Sequence, residues 1–340
     1  MEQKLIVGVI GLGFGGTHLK AAMDYGAEIA AVCDKNPVAL AALDKWSIPA
    51  ERRFTDWHDL LTIDSLNVVI IASPDQLHRE MAVAFLEAGK NVLCEKPLAL
   101  TREDMDAIID ATKKSTAKCM VGQICRFTPA FAKAKELITE GVIGDLFYVE
   151  SEYAHDYEHM FRANPNYWRS DPLRHGVVGG GCHAVDLLRW IAGDPYEVFA
   201  YGVHKMLPMV PYDDSTIALL KFPNDVVGKV FVSTGCKRDY TMRSLFYGTK
   251  GTIICDNTSD HMTLFKVGED GMTVEKEPTI IPIDVNNHNA LREFEVFADH
   301  LVNDTPVKMS ALEGAKSVEV CLSIVKSSEI EEKVIPNYNF

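Results

Sequence analysis

The sequence predicts an α/β chain whose N-terminal part is a doubly wound parallel sheet, and three observations point there. An apolar strand, residues 5–10, runs straight into Gly11-Leu12-Gly13-Phe14-Gly15-Gly16, and a helical pattern follows from residue 17. A second strand, residues 28–33, ends in the acid Asp34, eighteen residues beyond Gly16. Strand and helix patterns then alternate, as a parallel sheet covered on both faces requires. With 340 residues the chain is long for a single core, so two domains are expected, 1–124 and 125–340.

Each element of the first domain has its reason. In the pattern G-x-G-x-x-G, Gly11 serves the tight turn, Gly13 lets backbone approach a pyrophosphate, and Gly16 lets the helix pack close on the strand. The helix at 17–25 offers its N-terminal amides and dipole to phosphates. Asp34 can accept both hydroxyls of an adenosine ribose and repels a 2′-phosphate, which favours NAD over NADP. Gly11, Gly13, Phe14, Gly15, Gly16 and Asp34 are therefore the expected cofactor contacts of this Rossmann-type half. Helices at 37–46 and 57–61, a strand at 68–72, a helix at 78–88 and a strand at 91–94 continue the alternation. Ligands of such sheets bind beyond the carboxyl ends of the strands, which puts Ser73, Pro74 and Lys96 on the cofactor edge. His78 is either one more cofactor contact or a helix-start residue with no ligand role. A helix at 101–115, opened by a capping-box-like Thr101 and Asp104, and a strand at 118–123 complete the domain.

Charge and composition exclude several classes of partner. The net charge of −14 repels nucleic acid and anionic membranes, and no basic run offsets it. No apolar run approaches the roughly 20 residues a bilayer span needs, and the N-terminus reads as a first strand rather than a signal peptide. Neither nucleic acid nor membrane is expected as a partner, and the expected location is cytoplasmic. The eight cysteines contain no C-x-x-C pair and read as reduced thiols.

Glu95-Lys96-Pro97 carries the most chemistry, because it puts an ammonium at the end of a buried strand and fixes the backbone just beyond with a proline. It stands in an ordered set: the glycine loop, Asp34, Pro74-x-x-x-His78, Glu95-Lys96-Pro97, Arg126-Phe127-Thr128-Pro129, His183-x-x-Asp186-Leu187-x-x-Trp190 and Gly248-Thr249-x-Gly251. In this set and order the chain resembles the Gfo/Idh/MocA family of NAD(P)-dependent sugar and inositol oxidoreductases over nearly its whole length. The resemblance implies an N-terminal Rossmann domain and a C-terminal α+β domain with a large, mostly antiparallel open sheet for substrate and oligomer contacts. It adds Glu95, Lys96 and Arg126 to the cofactor side and implies a homo-oligomer, dimer or tetramer. Strand-like stretches at 146–153, 196–204, 215–222, 226–234, 243–247 and 251–255 agree, with a hairpin at Pro223-Asn224-Asp225. Apolar stripes at helical spacing mark helices at 290–302 and 311–328.

Oxidising a secondary alcohol needs a hydride acceptor, a group to take the hydroxyl proton, and a charge to stabilise the developing alkoxide. The resemblance maps the two protein groups onto Lys96 and His183. Burial and a cationic nicotinamide both penalise charge on the lysine, whereas an imidazole exchanges protons near neutrality without help. His183 is thus the expected proton acceptor and Lys96 the group that polarises the substrate oxygen, although the reverse assignment is open. Asp186, one turn on, either orients the imidazole or holds the helix.

Many family members carry an aspartate four residues before this histidine; here Gly179 stands there, with Arg174 and His175 upstream where glycines are common. Tyr153, His155, Asp156, Trp168, Arg169, Arg174 and His175 form the polar and aromatic mixture a sugar site uses, and with Lys96 and His183 they are the expected substrate contacts. Either arginine is also suited to a carboxylate or phosphate on the substrate. Histidines 155, 159, 175 and 183 show no tight ligand spacing, so no metal is expected. The leading expectation is an NAD-dependent dehydrogenase or reductase acting on a sugar, inositol or related polyol. The alternatives are a glycoside-cleaving enzyme that uses NAD transiently, by oxidation, elimination and re-reduction, and a non-catalytic NAD-binding sensor.

Overall fold

The computed structural model describes residues 4–164, 167–268 and 270–340. The chain divides into two compact units. The first takes the chain up to Gln123 together with Asn289–Ala315 and Phe340; the second is Ile124–His288 with Lys316–Asn339. The expected division gives residues 289–315 to the second domain, whereas their packing assigns them to the first.

In the first unit the order is β1 (Ile6–Ile10), α1 (Gly15–Tyr25), β2 (Glu28–Cys33), α2 (Pro37–Ala41), β3 (Arg53–Phe54), α3 (His58–Leu61), β4 (Val68–Ile71), α4 (His78–Glu87), β5 (Asn91–Glu95), α5 (Arg102–Lys114) and β6 (Cys119–Gly122). The strands lie in the order β3-β2-β1-β4-β5-β6, and every pair is parallel. Central strands of such a sheet are covered on both faces, and β4 is accordingly apolar and buried at all four positions. Strand order reverses between β1 and β4, the place where doubly wound sheets bind ligands. Thr101 starts α5 as its N-cap: its hydroxyl accepts the Asp104 N–H at 3.2 Å and donates to the Asp104 carboxylate at 2.8 Å. The helix expected over 37–46 is α for one turn and then tightens into a 3-10 turn, Ala42–Trp46, closed by Ser47 in the left-handed region.

The second unit holds α6 (Pro129–Thr139), β7 (Leu146–Ala154), α7 (Glu158–Ala163), α8 (Gly176–Gly179), α9 (Cys182–Ala192), β8 (Glu197–Val203), β9 (Ser215–Lys221), β10 (Val227–Ser233), β11 (Arg243–Gly248), β12 (Gly251–Asp256), β13 (His261–Lys266) and β14 (Thr279–Pro282). Its eight strands run β14-β13-β12-β11-β7-β10-β9-β8. The pair β7 and β10 is parallel, and the remaining ladders are antiparallel. Strand β9 shows the period of two: Thr216, Ala218 and Leu220 are buried, while Ile217, Leu219 and Lys221 are exposed. The buried face of the sheet packs under α8 at β9 and under α9 at β7 and β10. The opposite face leaves Tyr201, Ile217, Leu219 and Val227 between 41% and 57% exposed.

Helix α10 (Ala290–Val302) belongs to the first unit and packs on α1, where Tyr25 meets Phe294 edge to face at 5.3 Å. Helix α11 (Ala311–Ile330) gives its first turn to the first unit and the rest to the second. Gly314 in that first turn lies so close to β6 that a Cβ would come within 2.5 Å of Val121. No helix among the described residues is long and apolar enough to cross a membrane. All eight cysteines are thiols.

Candidate functional site

The glycine loop of the first unit is shaped by contacts only glycine allows. Gly11 has φ +85°, and a Cβ there would lie 2.4 Å from the Ala72 carbonyl oxygen. A Cβ on Gly13 would meet nothing within 4 Å, so the open side of the loop is at Gly13. Close packing of helix on strand is carried by Gly15, whose Cβ would sit 3.1 Å from that of Ala72, rather than by Gly16, which makes an ordinary 3.6 Å approach to Trp46. Asp34 is tied to the same loop: its carboxylate accepts the Leu12 N–H at 2.6 Å and the Asn36 N–H at 2.7 Å. An open backbone cradle at a helix N-terminus, with an acid one loop away, fits a dinucleotide.

The carboxyl ends of β4 and β5 are joined by a histidine. His78 is fully buried, with Nδ1 2.8 Å from the Pro97 carbonyl oxygen and Nε2 3.2 Å from that of Ser73. Both ring nitrogens are committed to backbone, which makes His78 a clamp on the cofactor edge rather than a group presented to a ligand. Ser73 is also buried, its hydroxyl 3.4 Å from the Pro74 carbonyl oxygen. Glu95 is buried too, accepting from His18 Nε2 at 2.7 Å and from the Lys96 N–H at 3.0 Å. Burial pushes its carboxyl up, but the His18 hydrogen bond, the charges of His18 and Lys96 and the Lys96 amide together hold it below the ordinary range. The Lys96–Pro97 peptide is cis.

In the second unit His183 sits near the start of α9, almost fully buried, in a nest of rings. Tyr153 stacks on it with centroids 6.0 Å apart, and His288 lies 6.3 Å away. Tyr240 stacks on His288 at 5.5 Å and reaches His155 at 5.2 Å. The Tyr153 and Tyr157 hydroxyls bond each other at 2.6 Å. Burial drives the phenols of Tyr153 and Tyr240 well above their ordinary value, so both are neutral hydrogen-bonding groups at physiological pH. His183 Nδ1 is 3.3 Å from the thiol sulfur of Cys125, whose own proton points to Met242 Sδ at 3.5 Å.

Several expected residues do other work in this unit. Arg126, expected on the cofactor side, forms a bidentate pair with Asp186, Nε at 2.8 Å and Nη2 at 2.7 Å. Asp186 also accepts from the Ser317 hydroxyl at 2.7 Å, so it holds α9 in place and the structure draws it toward Arg126 rather than the imidazole. Asp156 accepts the Glu158 N–H at 2.9 Å to start α7 and meets Lys237 at 3.1 Å. Arg174 is 1% exposed, with its guanidinium 5.0 Å from the Trp168 ring and Nη2 donating to the Gly179 carbonyl at 3.2 Å. A Cβ on Gly179 would come within 2.1 Å of Arg174 Nη1, so the arginine fills the space a side chain at 179 would enter. Arg169 lies over Trp168 at 4.8 Å and Tyr157 at 5.3 Å. His175 is strained, at φ 34°, and faces Tyr212 at 5.9 Å.

Of the expected substrate residues, Tyr153 and His155 are gathered around His183, while Asp156, Arg174 and His175 are engaged elsewhere. Cys125 and Tyr240 were not expected at the site. Cys125 neighbours the Arg126 motif and was readable only as a small hydrophobe, and Tyr240 comes from a loop with no periodicity to place it.

Comparison with known proteins agrees with these geometries. Residues 5–123 match the model of an oxidoreductase family with an NAD-binding Rossmann fold, and residues 131–254 match the GFO/IDH/MocA C-terminal domain. A levoglucosan dehydrogenase from Pseudarthrobacter phenanthrenivorans is 31% identical over 74% of this chain and 73% of its own length. A myo-inositol 2-dehydrogenase from Thermotoga maritima is 28% identical over 96% of both chains. The solved structure of a levoglucosan dehydrogenase in complex with NADH superposes with a TM-score of 0.87 at 26% identity, covering 98% of this chain and all of that one. The glycine cradle, the tethered acid and these matches together establish that the chain belongs to the GFO/IDH/MocA family and is an NAD-dependent oxidoreductase.

Proposed function

We propose that this protein oxidises a secondary hydroxyl of a cyclic sugar, anhydrosugar or inositol, or reduces the corresponding ketone. The nest of phenols and imidazoles around His183 carries this reading: it offers flat apolar faces for a ring and hydrogen-bonding groups for its hydroxyls, in a buried setting. The relatives named for levoglucosan and inositol support the same class.

NAD, when bound, supplies the hydride acceptor; Gly11, Gly13, Phe14, Gly15, Gly16 and Asp34 would hold it. In the proposed reaction Nε2 of His183 takes the hydroxyl proton, an assignment supported by the Nδ1 contact with Cys125. Lys96 places its positive charge by the substrate oxygen as alkoxide character develops. Tyr153, His155, Trp168 and Arg169 are proposed to read the ring. The apolar outer face of the large sheet supports a homo-oligomer, dimer or tetramer, since such patches are costly in water. The acidic balance and eight unbridged thiols fit a cytoplasmic location.

The test is a panel of NAD+ with levoglucosan, myo-inositol, aldoses, keto-sugars and aryl glycosides, recording NADH absorbance and released aglycone together. Reduction of NAD+ by a sugar or inositol is expected. Aglycone release without net NADH selects transient oxidation and elimination instead, a reading favoured by the carboxylate-free backbone at Gly179. Absence of both, with tight NADH binding, would leave the sensor.

A further inference from the structure

Beneath the glycine loop, in the interior of the first unit, three ionisable side chains from three elements meet: His18 of α1, Glu95 of β5 and Glu293 of α10. All are buried, and the Glu293 side chain is 0% exposed. Among the described residues neither oxygen of Glu293 has a hydrogen-bond partner, and neither does Nδ1 of His18. These groups face each other, with Nδ1 3.9 Å from Glu293 Oε2. On its other side the imidazole is committed, with Nε2 2.7 Å from Glu95 Oε1. The second oxygen of Glu95 accepts the backbone N–H of Lys96 at 3.0 Å.

The protons in this row can be assigned from donor and acceptor chemistry. A carboxylate only accepts, so His18 Nε2 must carry the hydrogen that meets Glu95. Above the ordinary imidazole value the ring carries one hydrogen, and with it on Nε2 a lone pair is left at Nδ1. An ionised Glu293 would set a fully buried second carboxylate beside that lone pair, which is costly; a protonated Glu293 supplies the donor that Nδ1 lacks. Burial, and after it the charge of Glu95, both act to keep that proton on Glu293.

We propose that Glu293 is a neutral carboxylic acid whose O–H is directed at His18 Nδ1, so that His18 donates Nε2–H to Glu95 and Glu95 fixes the backbone of Lys96. Glu293 and His18 are thus positioning residues, linking α10 and the helix of the glycine loop to the lysine of the cofactor edge. The catalytic weight of the relay rests on the proposed role of Lys96, but its existence does not.

The experiment is spectroscopic and uses the full chain without substrate. At about pH 8, above the ordinary imidazole value, nitrogen-15 NMR is expected to show His18 as the neutral Nε2–H tautomer and the Lys96 amide proton shifted far downfield. An infrared difference spectrum of wild type minus Glu293→Gln is expected to contain a protonated-carboxyl band. Glu293→Gln, which still donates, should keep both NMR signatures, whereas Glu293→Leu, or Glu293→Met if that variant folds poorly, should lose them. Absence of the carboxyl band overturns the proposal, as does an apolar variant with His18 and Lys96 signals unchanged. So does a stoichiometric metal in the purified protein that leaves with Glu293→Gln. If Lys96→Met keeps turnover while the spectra come out as expected, the relay stands and the role of Lys96 fails.

Discussion

Around Lys96 the structure relies on directional hydrogen bonds, and around His183 it relies mostly on rings. Glu95, both nitrogens of His78 and Nε2 of His18 are spent on fixed partners within the first unit. Tyr153 and His288 lie 6.0 and 6.3 Å from His183 by ring centroid, and Tyr240 joins His288 to His155 at 5.5 and 5.2 Å. Hydrogen-bond networks fail sharply when one member is removed, because the rest are left buried and unsatisfied. Ring packing degrades by degrees. A cofactor edge must be the same for every turnover, whereas the proposed substrate wall, built of rings, can change its fit by small steps, and relatives named for levoglucosan and for inositol suit that proposal.

The comparison breaks most readily at the two groups proposed to react. Lys96→Met and His183→Asn are each expected to lower kcat/KM by about 10² to 10⁴, with the Kd for NADH, read by fluorescence, nearly unchanged. Loss of NADH binding in either would make the residue structural. Next comes Gly11→Ala, which puts a Cβ against the Ala72 carbonyl at a positive φ. It should cost about 1–3 kcal/mol and weaken NADH binding, both measurable from urea titrations with and without the dinucleotide. In the second unit Gly179→Ala is expected to cost about 1–3 kcal/mol by crowding Arg174, and Arg174→Ala in the same chain should relieve the crowding term, giving a non-additive cycle.

A pH comparison sharpens the contrast further. Glu293 titrates above its ordinary 4.5, its desolvation dominant and the Glu95 charge second, with His18 of α1 and Glu95 of β5 as the ionisable groups facing it. A carboxyl raised on folding contributes stability that is complete below 4.5 and is lost as pH rises toward its folded value. Glu293→Gln should therefore gain on wild type in Tm as pH increases above 4.5, and equal changes at pH 4 and pH 8 would count against a buried acid. Smallest is Tyr240→Phe, expected to raise KM several-fold while costing about 1 kcal/mol or less in stability. A hundredfold loss in kcat there would mean that the phenol takes part in the chemistry.

Much of the first unit was legible because its signals are local. A glycine loop after an apolar strand, and runs such as Val68–Ile71 with no polar face, force a covered parallel sheet. The strands β13 and β14 escaped because exposed residues such as His261 and Thr279 dilute the apolar pattern at the sheet edge. Helix α6 was hidden in plain view: Ala130, Phe131, Ala134 and Leu137 have helical spacing, but Pro129 reads equally as the end of a motif. At the site, sequence could nominate His183 and Lys96 but not the partners that give them protons or orientation. Cys125 lies 58 residues from His183, and Glu293 lies 198 residues from Glu95, so only the folded chain brings them together. Arg126 and His78 show the converse, residues of the right type in the right motif whose hydrogen bonds to their own neighbours no sequence pattern announces.

The return of α10 to the first unit has a consequence for how the protein is made. The sheet β1 to β6 is finished when residue 122 has been synthesised, yet the segment that covers α1 and delivers Glu293 to His18 is Asn289–Ala315. On the ribosome the glycine-loop helix must wait, with an apolar flank and the Nδ1 side of its imidazole uncovered, while the whole eight-stranded sheet is translated. A fragment cut at the edge of its family match, residue 123, would inherit that unfinished state permanently.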